Sequence, residues 1–345
     1  MAMPSAATAF APGRVNLIGE HTDYNEGLAL PFAIAEGVTV RATARDDRRI
    51  DAFALDLDQS DAFQLDDIAP ADSWRAFVRG TAAELLGTGR GLPGTRLDIA
   101  GNVPRGAGLS SSAALTVALA LALSALAGDR DPDRIELAKL CSRVEHVWVG
   151  ARTGLLDQLA ALVGERDRAA LIDFRSLAIR AVPLELADHR LVLLDSGEAR
   201  ANAASGYNER RAECARACAL LGVSSLREAT LEMTEQLPAP LSDRARHVIS
   251  ENERVARSVD ALERRDAAAL ASLLDASHES SRDLYEVSTP AVEAARERLL
   301  GAGALGARLV GGGFGGNVLG LMAADAAAPA GAREVRAGPG ARVTT

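Results

Sequence analysis

Three short stretches hold the residues best suited to chemistry. The first, GRVNLIGEHTDYN at 13–25, packs Arg14, Glu20, His21 and Asp23 into ten residues. A dense mix of donors and acceptors between apolar runs suits a polyol, whose hydroxyls need both. A capped polar surface loop is the plainer alternative. The second, PRGAGLSSSAA at 104–114, places Gly106, Ala107, Gly108, Leu109, Ser110, Ser111 and Ser112 between a strand-like segment and an apolar helix pattern. Glycines let backbone curl close to a ligand. The free N–H groups, the positive dipole end and the hydroxyls at such a helix start form a phosphate cradle. Taken alone, those residues fit a serine-capped helix after a glycine turn equally well. The third, GGGFGG at 311–316, lies between two apolar segments. Glycines there permit close backbone packing against a loop or ligand, or simply a connector.

Composition narrows the chemistry. The 345 residues are 48% hydrophobic and 25% charged, the balance of a globular chain with a real core. A formal net charge of −9 and 3% aromatic residues argue against nucleic acid as a partner. Lys139 is the sole lysine and no glycine loop surrounds it. A Walker A loop and a protein kinase each need a lysine at the phosphates. If this chain uses ATP, it grips the phosphates without one. Cys141, Cys214 and Cys218 form no CxxC pair, which points to a reduced, cytoplasmic protein. The first ten residues have neither the positive charge nor the apolar run of a signal peptide. The apolar run at 113–127 is 15 residues long, short of the ~20 that span a bilayer, so no membrane partner is expected.

The elements that must position these residues follow from periodicity. Strands are expected at 10–18, 28–34, 38–44 and 97–99, and a helix at 74–86. The apolar run at 113–127 predicts a helix buried on nearly all sides, ending at Gly128. Asp131-Pro132 opens a further helix to about residue 149. At roughly 100° per residue Glu145 lies about 80° from Leu137, at the margin of that helix's apolar face, with His146 on the polar side. Strands at 171–173 and 191–195 flank a boundary near 180–185. Helices follow at 207–221, 242–264, 266–284 and 290–300, then a strand–glycine loop–strand unit at 307–322 and a low-complexity tail. No solenoid-type repeat is present. The mixture is α+β, with domains at 1–182 and 183–345.

In this order and spacing the three stretches resemble the motifs of the GHMP small-molecule kinases, and GRVNLIGEHTDYN resembles the sugar signature of their galactokinase family. The likeness extends to RVEH (143–146), GLLDQ (154–158), YNERR (207–211) and HVISE (247–251). It implies a two-domain α+β GHMP kinase with the active site in the inter-domain cleft. It implies ATP-dependent phosphorylation of the C1 hydroxyl of α-D-galactose by a monomer. Asp157 then matches the catalytic aspartate and Arg14 its partner. Glu20, His21, Asp23, Gly154 and Tyr207 match sugar ligands; residues 106–112 match the ATP loop; Ser112 and Glu145 match Mg2+ ligands. The remaining histidines (His146, His189, His247 and His278) stay structural. Glu26, Phe77, Arg152 and Val310 depart from the family's usual residues. Glu26 and Arg152 leave a kinase of N-acetylgalactosamine or arabinose as an alternative. A sugar- and ATP-binding regulator without turnover is the other.

Overall fold

The computed structural model describes residues 4–104, 108–151, 153–198 and 203–344. The alternation in the first 45 residues forms long strands. β1 (Ala6–Asn16), β2 (Leu28–Ala29) and β3 (Pro31–Arg45) are followed by β4 (Arg49–Ala54), β5 (Gln59–Gln64) and β6 (Gly94–Gly101). β7 (Arg168–Asp173), β8 (Ala178–Pro183) and β9 (His189–Asp195) follow in mid-chain. β10 (Gly306–Leu309), β11 (Asn317–Ala323), β12 (Arg333–Val335) and β13 (Arg342–Val343) complete the set. They build a six-stranded sheet ordered β13-β1-β3-β6-β4-β5, a four-stranded sheet β10-β11-β9-β12 and a three-stranded sheet β2-β7-β8. Among the described residues only the β4–β6 pairing is parallel.

Helices α2 (Ser111–Leu126) and α4 (Leu156–Val163) pack on the first sheet, and α1 (Ser73–Gly87) and α3 (Arg134–Arg143) pack against them. α5 (Ala203–Leu221), α6 (Leu241–Glu263), α7 (Ala267–Asp283) and α8 (Pro290–Gly301) belong to the second half. α2 is buried from Ala113 onward except at Leu115, packed on β1 and β3, as its unbroken apolar run predicts. Among the described residues no helix is long and apolar enough to cross a membrane. One apolar cluster lies under the first sheet with α1–α4. A second spans the halves, joining Leu17, Leu30 and Phe32 to Leu191, Val255, Leu274 and Leu319.

One sequence expectation changes, and the tail, for which the sequence offers no elements, gains them. The helix from residue 134 ends as regular α-helix at Arg143 and continues as a π-helical turn, Val144–Val149. The tail after Met322 is ordered: β12 pairs with β9, and β13 returns to pair with β1. Alanine and glycine there serve close packing, since Ala337 and Ala341 are buried.

Candidate active site

Arg14 comes off the end of β1 and is nearly buried. Its Nε donates to Asp157 Oδ1 at 2.8 Å, and Nη2 reaches the same oxygen at 2.6 Å. Its Nη1 donates to the Gly108 carbonyl at 2.7 Å, and its backbone N–H to the Leu109 carbonyl. One arginine therefore ties the first-turn carboxylate of α4 to the glycine loop. Both contacts on Asp157 use Oδ1. The loop ends at Ser110, whose φ of 59° is left-handed and whose buried Oγ has no hydrogen-bond partner among the described residues. A non-glycine residue held there costs of order 1–3 kcal/mol, and such strain concentrates at ligand sites. Ser111 and Ser112 then open α2 with its free N–H groups. Gly106 and Ala107 lie outside the described residues.

Glu145 sits in the π-helical turn, 3% exposed. Its Oε2 accepts from Thr153 Oγ1 at 2.7 Å, while its buried Oε1 has no hydrogen-bond partner among the described residues. Burial pushes its carboxyl up to about 7, reinforced by Asp157 and opposed by the Thr153, Ser112 and Gln158 side chains. A desolvated carboxylate with an orphaned oxygen beside a serine hydroxyl fits a cation. Among the described residues no group of three or more His, Cys, Asp and Glu could hold a metal. The remaining ligands of a Mg2+ would be phosphate oxygens and water, its usual shell with nucleotides. Turns of this kind often mark functional sites, but the apolar pattern carries no sign of one. His146, expected on the polar side, is half-buried and bonds the Thr153 carbonyl at 2.6 Å.

The polar residues of the first motif gather with side chains from the second half of the chain. Glu20 is buried; its Oε1 accepts from Gly311 N–H at 2.7 Å and from fully buried Arg308 at 3.2 Å. The glycine-rich loop therefore packs on the first motif. The chain has three tyrosines, and all three gather on His21. Ring centroids lie 5.0 Å away for Tyr207, 4.6 Å for Tyr285 and 5.9 Å for Tyr24. His21 Nε2 meets the Gly312 carbonyl at 3.2 Å. A carbonyl only accepts, so in the neutral ring Nε2 carries the proton and Nδ1 accepts from the Tyr24 hydroxyl at 2.8 Å. Tyr24 then accepts from Tyr285 at 2.9 Å, and Tyr285 from the Cys214 thiol at 3.0 Å. Asp23 lies within 3.5 Å of the Tyr207 hydroxyl. Burial raises its carboxyl to about 6, and Asp157 adds to the rise. A Cβ on Gly154 would fall 1.9 Å from Asp23 Oδ2, so a larger residue there would push the Asp23 side chain aside. Asp157 thus lies near both Asp23 and Glu145, and its charge raises each of those carboxyls.

A cavity of about 370 Å³ opens beside Ser111 and Ser112. Leu57, Trp74, Phe77 and Leu115 give it apolar walls; Asp56, Gln59 and Ser73 add polar groups. Trp74 Nε1 donates to Gln59 Oε1 at 2.9 Å. Sequence reasoning missed this cavity because its walls come from α1, α2, β6 and the unforeseen β4–β5 hairpin. Glu26, a departure from the family, holds a left-handed φ of 55° and binds Arg175 and Ser225, each at 3.0 Å. Arg152 lies outside the described residues.

Known families match the same segments. The chain matches the models described as GHMP kinases N terminal domain at 76–165 and GHMP kinases C terminal at 258–339. The mevalonate kinase of Methanococcus jannaschii shares the fold at 17% identity, with a TM-score of 0.67 over 98% of this chain and 99% of that one. Fold and site together define a GHMP small-molecule kinase. Residues 2–44 match the galactokinase galactose-binding signature. The galactokinase of Mycobacterium tuberculosis (H37Rv) is 44% identical over 324 residues, 92% of this chain and 89% of that protein. That of Roseiflexus sp. (strain RS-1) is 43% identical over 330 residues, 90% and 82%. The crystal structure of Lactococcus lactis galactokinase complexed with galactose superposes with a TM-score of 0.91 at 32% identity, covering 98% and 95%. The chain belongs to the galactokinase family.

Proposed function

We propose that this protein transfers the γ-phosphoryl group of ATP to the C1 hydroxyl of α-D-galactose, giving galactose 1-phosphate and ADP. The observation that carries this reading is Arg14 bridging Asp157 and the Gly108 carbonyl, which couples the acceptor carboxylate to the phosphate loop. Asp157 Oδ2 orients the C1 hydroxyl and takes its proton; Arg14 balances charge as the phosphoryl group moves. Glu20, His21, Asp23, Tyr207 and the Gly154 backbone bind the sugar. The loop ending at Ser112 binds the phosphates with its N–H groups, and the cavity beside Trp74 and Phe77 takes the purine. Ser112 and Glu145 would hold Mg2+, which neutralises phosphate charge when bound. Three unbridged cysteines support a reduced, cytoplasmic setting, and we assign a monomer.

Galactose and glucose differ at the 4-hydroxyl, and we assign Asp23 and Tyr207 to that position. A site built around a required hydroxyl rejects an analogue that cannot bond it by roughly 10⁴. ADP release measured over galactose, glucose, N-acetylgalactosamine and arabinose tests the assignment. Galactose is expected to lead with glucose nearly inert. Equal rates on glucose and galactose would rule out a galactose-specific enzyme.

A further inference from the structure

The segment HVISE at 247–251 touches neither the Arg14–Asp157 pair nor the glycine loop by any hydrogen bond among the described residues. Its work lies beneath the first motif. α6 passes under the turn at 19–28 and holds it by the backbone. Glu251, fully buried, accepts the Gly19 N–H on Oε1 at 2.9 Å. His247, one turn earlier on the same face, meets the Glu20 carbonyl through Nε2 at 3.3 Å. Asn252 accepts the Leu28 N–H at 2.7 Å.

We propose that Glu251 and His247 are positioning residues of the sugar site, clamping the backbone at Gly19 and Glu20 so that Glu20, His21 and Asp23 face galactose. The inference rests on the galactose reading above. The turn needs a clamp because Gly19 has φ +101°, and a Cβ there would fall 2.7 Å from Ala29 Cα and the Leu28 carbonyl. The clamp itself is braced. Ser277 Oγ donates to Glu251 Oε1 at 2.7 Å, and Arg254 Nε to Oε2 at 2.6 Å. Burial pushes the Glu251 carboxyl up, but neighbouring cations, Arg254 first, outweigh it and hold it at about 2. Burial lowers His247 to about 4, so the neutral ring donates from Nε2 and accepts the Ser280 hydroxyl on Nδ1 at 2.8 Å.

This arrangement separates sugar from nucleotide. Glu251→Ala leaves the Gly19 N–H without its acceptor, and galactose affinity should fall about 10-fold or more. The KM for ATP should not move. Glu251→Gln keeps an amide oxygen for Gly19 and Ser277 and should restore most of the loss. His247→Ala and His247→Gln repeat the comparison, because glutamine carries an N–H of similar reach. The measurements are calorimetric titration of galactose without nucleotide, KM for both substrates, and thermal melting to verify folding. If Glu251→Ala does not fold, the His247 pair decides. Unchanged galactose affinity in the alanine variants, or a parallel loss of sugar and ATP affinity, would overturn the proposal, as would glutamine variants no better than alanine. A parent protein that binds no galactose would instead overturn the functional reading.

Discussion

At the residue scale, charge placement decides the chemistry. Asp157→Asn keeps shape and removes the charge paired with Arg14. Turnover should drop ~10²–10⁴-fold, the usual contribution of a positioned base, while galactose still binds. Steady-state ADP formation at saturating galactose measures this; a rate within a few-fold of the parent would exclude Asp157 from the reaction. Asp23 makes a second, pH-dependent prediction. Its carboxyl titrates near 6 in the folded protein against an ordinary 3.8. The folded state therefore binds this proton more tightly than the unfolded state. The group carries no penalty below about pH 4; a penalty grows from there to about 6 and then levels off. At neutral pH it costs about 1–3 kcal/mol, the upper end reduced by partial exposure. Sugar-free Asp23→Asn should melt above the parent at pH 7, and the difference should vanish near pH 4. A difference independent of pH would contradict it.

At the scale of elements, the π-helical turn is the feature the periodicity did not foretell. It turns Glu145 inward, and Trp148 on the same turn lies against Gly80 of α1. A Cβ on Gly80 would come 2.6 Å from Trp148 Cγ. Gly80→Ala should therefore displace the turn and with it Glu145. The magnesium concentration for half-maximal activity should rise, as in Glu145→Gln, with galactose affinity unaltered. Equal magnesium dependence in Gly80→Ala and the parent would show that the turn tolerates the push.

On the scale of the whole molecule, the tail locks the fold. Backbone N–H groups of Gly338, Gly340, Ala341 and Thr344 donate to carbonyls of Ala33, Gly164, Ala161 and Thr8. Strand β13, which a division at residue 182 assigns to the second half, completes the first sheet. Deleting residues 337–345 removes these four bonds and exposes the edge of β1. At about 1 kcal/mol net per bond the loss should reach ~3 kcal/mol or more, a melting shift of several degrees. Calorimetric melting of the truncated chain decides this; an unchanged transition would mean the tail only rests on the sheet.

The motifs were legible because the features they depend on are local. A helix start with serines after glycine, a buried helix from an unbroken apolar run, and dense ionisable types between strands are all written in neighbouring residues. The order Arg14, Ser112, Glu145, Asp157 and Tyr207 became legible only through family resemblance, since each alone reads as an ordinary cap, surface acid or helix edge. Tertiary structure alone decided the rest. Arg14 meets Asp157 across 143 positions of chain, and Glu251 meets Gly19 across 232. The wall of Trp74, Phe77 and Leu57 exists only once α1 and the β4–β5 hairpin pack together. Periodicity reports which face of an element is buried, not which distant polar group is buried with it. Here charges and carbonyls far apart in the sequence pair to shape the candidate site, and that pairing is a property of the folded chain.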